Sequence, residues 1–376
     1  MPGPFDIEEL RKLDHPTPYF VFDGQTVLDN LEAYHQALPG GTEICYAMKA
    51  NSEKAVLKLL SAHGCSFEVA STYELELLKK LAVPPERIIY GTAVKSESSI
   101  KDFADYGVTR YAFDSADELG KIARQAPNAQ VYLRVLVDDQ AHSVFTMSEK
   151  FGTDLDSAVE LLAAARDQGL VPYGISFNVG SQARNARAWA NGLQSIAPVL
   201  ANLQHKDIRL EMIDLGGGFP FSYRPDDDIP ALADIGSAIV EASRQLPYPI
   251  AFLAEPGRGL VADAYVLITG VFAKAKRPTG HWLYADAGAY NALLETMAYQ
   301  GSIRYRIELL RESDAPKEPY ILTGPTGDSL DVIDKEVLLP SDVAVGDKLA
   351  VRDTGAYSFV LATPFNGFPV PPTYER

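Results

Sequence analysis

The chain has 376 residues, 47% hydrophobic and 22% charged, with a formal net charge of −16. That length suits one large domain and a smaller one. The acidic balance, with no basic cluster longer than a pair, excludes nucleic acid or an anionic membrane surface as partner. No apolar run reaches the roughly 18 residues of a membrane helix. The opening Met1-Pro-Gly-Pro-Phe-Asp-Ile-Glu-Glu has neither the basic nor the apolar region of a signal peptide, so a cytoplasmic protein is expected. Cys45 and Cys65 fall in or beside apparent buried strands and are not expected to pair. The histidines stand singly, and no grouping has metal-ligand spacing, so no metal is expected.

In chain order, 17–23 reads as a strand and 26–38 as an amphipathic helix carrying Val27, Leu28, Leu31 and Tyr34 on one side. Short apolar strands then begin near 43, 66, 87, 110, 130, 173, 209 and 250. Helical patterns alternate with them, among them 53–62, 72–81, 115–124, 155–167, 186–204 and 229–245. This rhythm predicts parallel strands with crossover helices. Eight strands favour a closed (β/α)8 barrel, with a doubly wound open sheet as the rival. Past 262 the texture changes to strands punctuated by Gly and Pro, near 264–271, 282–286, 319–323, 331–337, 348–351 and 358–361. The expected organisation is a barrel over 24–261 and a β-rich domain over 262–376 that also takes 1–23.

Four loops fall after strand ends, where a barrel places its chemistry. The stretch Glu43-Ile-Cys-Tyr-Ala-Met-Lys-Ala-Asn51 reads as a strand ending in Lys49, on one face with Cys45 and Ala47. A lysine so placed is poorly solvated and can be a Schiff-base nucleophile; a strand-end lysine reaching water is the alternative. Gly216, Gly217 and Gly218 follow Asp214-Leu215, and bare backbone N–H groups can cradle a phosphate, though a plain turn has the same composition. Glu255-Pro-Gly-Arg258 offers a carboxylate for a ring nitrogen and a guanidinium for phosphate, or simply a surface ion pair. Asn178-Val-Gly-Ser-Gln182 forms the fourth loop. A nucleophilic lysine, a phosphate cradle and a carboxylate for a pyridinium nitrogen together specify pyridoxal phosphate (PLP).

Six segments in order, Tyr46–Asn51, Val179–Gln182, Gly216–Pro220, Glu255–Arg258, Gly324-Pro-Thr-Gly-Asp328 and Phe365-Asn-Gly-Phe-Pro369, carry a family likeness. Over essentially its whole length the chain resembles the fold-type-III PLP decarboxylases of ornithine, diaminopimelate and arginine, and most resembles the ornithine/lysine branch. The resemblance implies a PLP-binding barrel plus a C-terminal β domain, and a homodimer with shared active sites. It implies Lys49 as the Schiff-base lysine and Glu255 as the pyridinium partner. Ser181, Gly217, Gly218, Arg258 and Tyr357 would bind phosphate. Arg134, Glu68 and Glu74 match cofactor-pocket positions, and Asn178 the position that stacks on the ring. Asp328, contributed across the dimer interface, would face the distal amine of an amino-acid substrate, with Phe365 beside it. Decarboxylation of a basic amino acid, ornithine by default and giving putrescine, is the expected activity.

Three departures from the family pattern bear on that expectation. Asn178 stands where the family has histidine, and an amide cannot become a cation. Gly327 stands where the family has the cysteine that protonates Cα. Counting from Asp286, Ala298 stands where a second acidic residue meets the distal amine, with Tyr299 and Arg304 nearby. The alternatives are therefore a decarboxylase of another amino acid, or one that protonates the cofactor carbon and releases an aldehyde by decarboxylation-dependent transamination. A racemase of the same barrel class and a non-catalytic paralogue binding a protein partner are the remaining rivals.

Overall fold

The computed structural model describes residues 4–137, 143–145, 150–298 and 302–376. Two compact units are present: residues 29–221 with 228–257, and residues 1–28 with 222–227 and 258–376.

The first unit is a barrel of eight parallel strands, β1 Glu43–Ala47, β2 Ser66–Val69, β3 Ile88–Tyr90, β4 Arg110–Phe113, β5 Gln130–Val135, β6 Val171–Phe177, β7 Met212–Asp214 and β8 Ala251–Ala254. Each pairs with the next in sequence. β8 returns to β1 through Leu253↔Glu43 and Ala254↔Ile44, which closes the sheet and excludes the open alternative. The strands read as short apolar runs because parallel strands are covered on both faces. Cys45, Ile89, Ala112, Tyr132, Met212 and Leu253 fill the interior as one buried cluster.

Three of the helices that follow barrel strands start at serine caps. Ser71, Ser96 and Ser115 accept the N–H groups of Glu74 (3.2 Å), Ser99 (3.1 Å) and Glu118 (3.3 Å), starting the helices Thr72–Lys80, Glu97–Tyr106 and Ala116–Gln125. Such caps fix where each βα loop ends. The lengths of the loops at the strand ends are set in this way.

The second unit is a sheet in the order Ile307–Leu309, Lys348–Arg352, Tyr265–Arg277, Gly280–Ala285, Lys317–Thr323 and Val332–Pro340. Tyr19–Phe22 joins it antiparallel to Tyr265–Arg277 and parallel to Thr373–Glu375. Residues 358–361, expected as a strand, form a turn instead. Tyr357 sits at φ 54°, and the Leu361 N–H closes back on the Ser358 carbonyl (3.0 Å), so this backbone cannot enter a ladder. Among the described residues no helix is long and apolar enough to cross a membrane.

Candidate active site

In the barrel unit, β1 ends at Ala47, two residues before the lysine. Met48–Ala50 is a single 3-10 turn closed by the Asn51 N–H on the Met48 carbonyl (3.1 Å). Lys49 is thus aimed by a turn rather than by the strand pleat. Its side chain is 48% exposed, so the expectation of poor solvation does not hold. What restrains it is a carboxylate: Nζ lies 3.3 Å from Glu68 Oε2 at the end of β2, and that glutamate is almost wholly buried. Gly91, just past β3, makes this arrangement possible. A Cβ there would lie 2.5 Å from Glu68 Oε1 and 2.6 Å from its Cγ.

At the ends of β7 and β8, Asp214 and Glu255 share a side-chain hydrogen bond. Burial pushes the Asp214 carboxyl up to about 6. Glu255 stands well above the usual carboxylate range because of burial, with the charges of Asp214 and Glu68 adding to it. Two carboxyl groups bonded to each other must hold a proton between them. The glycine loop that follows is locked in place: Gly216 N–H donates to Asp214 Oδ1 (2.8 Å), and Glu255 N–H to the Gly216 carbonyl (2.9 Å). Gly216 and Gly218 adopt φ 66° and 89°, and a Cβ on Gly218 would lie 2.2 Å from the Gly180 carbonyl oxygen, so only glycine fits. Among the described residues the N–H groups of Gly217 and Gly218 donate to no protein acceptor.

Beyond β6, Asn178 Oδ1 accepts the Gly180 N–H (2.8 Å), which shapes the loop that carries Ser181. Arg134 lies on β5 beside Ser176 of β6, with its guanidinium 5.5 Å from the Phe151 ring. Glu74 accepts the Ala70 N–H (2.7 Å) at the start of its helix, and burial pushes its carboxyl up to about 7.

In the second unit, Arg258 is buried in a two-bond pair with Glu295, both N···O distances 2.7 Å, and donates to the Tyr223 hydroxyl at 2.6 Å. The Tyr357 ring lies 4.7 Å from the guanidinium. The surface pair of Glu255 with Arg258 admitted by the sequence does not form. Each has another partner. Asp328 receives a side-chain hydrogen bond from Tyr290, whose ring stacks on Phe365 at 4.5 Å. Gly327 is exposed, and a Cβ on it would meet nothing within 4 Å. Ala298 closes the short helix Glu295–Ala298, and Arg304 is held by Asp334 (3.0 and 3.3 Å). Tyr299 lies outside the described residues.

Asp214, Glu295, Tyr223 and Tyr290 were not singled out by sequence reasoning. Asp214 carried one signal, a carboxylate as the last strand residue before a glycine run. The other three become visible only through their partners. The donor set fits PLP: a primary amine restrained by a carboxylate, two unused N–H groups in a glycine loop, and a buried carboxyl that keeps a proton for a ring nitrogen.

A barrel with this equipment defines a PLP-dependent enzyme. The family described as pyridoxal-dependent decarboxylase, pyridoxal binding domain, matches residues 25–262, and the chain belongs to it. A lysine/ornithine decarboxylase of Selenomonas ruminantium is 32% identical over 358 residues, covering 95% of this chain and 89% of that protein. Antizyme inhibitor 2 of Xenopus laevis is 32% identical over 392 residues, covering 98% and 82%. The lysine/ornithine decarboxylase of Vibrio vulnificus, solved with putrescine, superposes with a TM-score of 0.89 at 28% identity, covering 98% of this chain and 97% of that one. The fold is that of the type III PLP decarboxylases, and the chain is an amino-acid decarboxylase of that kind.

Proposed function

We propose that the enzyme decarboxylates a basic amino acid, ornithine or lysine, as a cytoplasmic homodimer with shared active sites. The observation that carries this reading is the Asp328 carboxylate, presented with Tyr290 and Phe365 as an acceptor for an ammonium group flanked by aromatic rings. The likeness to two lysine/ornithine decarboxylases supports it.

In this reading Lys49 holds PLP through its amine, with Glu68 orienting that amine. Gly217, Gly218, Ser181, Arg258 and Tyr357 hold the phosphate, and Arg134 and Asn178 complete the pocket. Bound there, PLP supplies an electron sink for the pair left at Cα when CO2 departs. Glu255 keeps a proton at the ring nitrogen. Asp328 binds the distal ammonium, and its charge favours diamine products over neutral amines. Incubation of PLP-loaded protein with ornithine, lysine, diaminopimelate, arginine and neutral amino acids, followed by CO2 release and product mass, tests the assignment. Faster turnover of a neutral amino acid than of ornithine and lysine overturns it.

A second reading is favoured by Gly327, which has no proton to give where the family places a thiol. With no acid at this position, bound PLP would take the proton at its own carbon, and hydrolysis by water would release an aldehyde with the amino nitrogen left on the cofactor as pyridoxamine phosphate. Because a Cβ at 327 enters open space, Gly327→Cys is sterically free to restore the acid. A higher amine-to-aldehyde ratio in that variant supports this second reading, and an unchanged ratio overturns it.

A further inference from the structure

The loop that carries Asp328 is held by a second carboxylate that no motif identifies. Asp331 is only 2% exposed, yet its acceptors are used on two separate segments. Oδ1 accepts the Ala289 N–H (2.8 Å); Oδ2 accepts both the N–H (3.0 Å) and the hydroxyl (2.7 Å) of Thr326. Its backbone closes the same loop, with Gly324 N–H donating to the Asp331 carbonyl (3.0 Å) and Asp331 N–H to the Asp328 carbonyl (3.2 Å).

The backbone around this carboxylate has been cleared for it. A Cβ on Gly288 would lie 2.3 Å from Asp331 Oδ1, and one on Gly324 would lie 2.4 Å from the same atom. Two glycines on different segments therefore leave their side-chain space to one buried charge. A buried charge is tolerated only when several donors face it, and three do here.

Tyr290 is the residue after Ala289, and Asp328 is two residues after Thr326. The Thr326 hydroxyl relays the connection, since it donates to Asp331 and stands 3.4 Å from the Asp328 N–H as acceptor. Asp328 itself is turned by the Leu330 N–H, which donates to its Oδ1 (2.8 Å). A third segment is tied in through Asn291, whose Oδ1 accepts the Gly288 N–H (2.8 Å) and whose Nδ2 donates to the Pro369 carbonyl (3.2 Å).

We infer that Asp331 is the positioning residue for recognition of the distal ammonium, clamping the segment of Tyr290 to the loop of Asp328 so that phenol and carboxylate meet. This rests on the proposed role of Asp328. It goes beyond that role by locating the specificity in a buried group that touches no substrate. A carboxylate displaced by about 1 Å loses most of its advantage for one amine over another, because the aligned geometry is what discriminates.

The test uses the PLP-loaded protein and calorimetric binding of putrescine and cadaverine, beside turnover of ornithine, lysine and a neutral amino acid. Asp331→Asn places an amide NH2 against the N–H of either Ala289 or Thr326, so one of the two segments loses its acceptor. It is expected to weaken diamine binding and raise KM for ornithine and lysine about tenfold or more. Turnover of the neutral amino acid and the visible absorbance band should stay within twofold of wild type. Thr326→Val, which leaves the buried carboxylate in place and removes only the relay, should weaken diamine binding severalfold, and Thr326→Ser should restore it. Diamine binding within twofold of wild type in both Asp331→Asn and Thr326→Val overturns the inference alone. A wild-type protein that binds neither diamine overturns the reading of Asp328 together with it.

Discussion

Asp214 and Glu255, at the ends of neighbouring barrel strands, are bonded carboxyl to carboxyl and hold one proton between them. With burial pushing Asp214 up to about 6, against about 3.9 for an unfolded aspartate, the folded apo protein binds more protons than the unfolded chain in that window. Its stability therefore falls as pH rises above about 4 and goes on falling past 6, because the Glu255 carboxyl stands higher still. Asp214→Asn removes the share of the effect that Asp214 contributes. Thermal melts of apo wild type and variant should show the variant gaining relative stability between pH 4 and pH 7. A difference independent of pH would mean that the pair holds no shared proton.

Gly91 is expected to be sensitive although it bears no functional group. A Cβ 2.5 Å from Glu68 Oε1 must push that carboxylate out of reach of Lys49. Gly91→Ala should keep the fold and lower kcat/KM about tenfold or more. It should also move the pH at which the visible band of the loaded enzyme titrates. An unmoved titration would show that Glu68 does not govern the amine.

The pair of Arg258 with Glu295 is buried on both sides. Glu295→Ala leaves a guanidinium without its counter-charge and should cost about 3–5 kcal/mol in denaturant unfolding. Glu295→Gln, which still offers one acceptor, should cost less. Equal losses in the two variants would locate the effect in packing rather than in charge.

Lys49→Met removes the amine while keeping an unbranched chain of similar length. The visible band should disappear and turnover fall by about three orders of magnitude or more. Retention of both would place the cofactor on another group.

Much of this enzyme is legible in one dimension because its signals are local. Parallel strands covered on both faces read as short apolar runs, and the run Gly216–Gly218 marks a backbone that tolerates no Cβ. The six motifs in order name the family, since each is a contiguous segment. The partners of the motif residues are not contiguous, and these the tertiary structure alone decided. Arg258 could have paired with nearby Glu255 and instead took Glu295, 37 positions away; Lys49 met Glu68 across 19. Asp331 reads in sequence as one acidic residue in a loop, and only the meeting of two segments at its carboxylate makes it a clamp. Ion pairs and hydrogen bonds act within a few ångströms of space, and distance along the chain does not measure that.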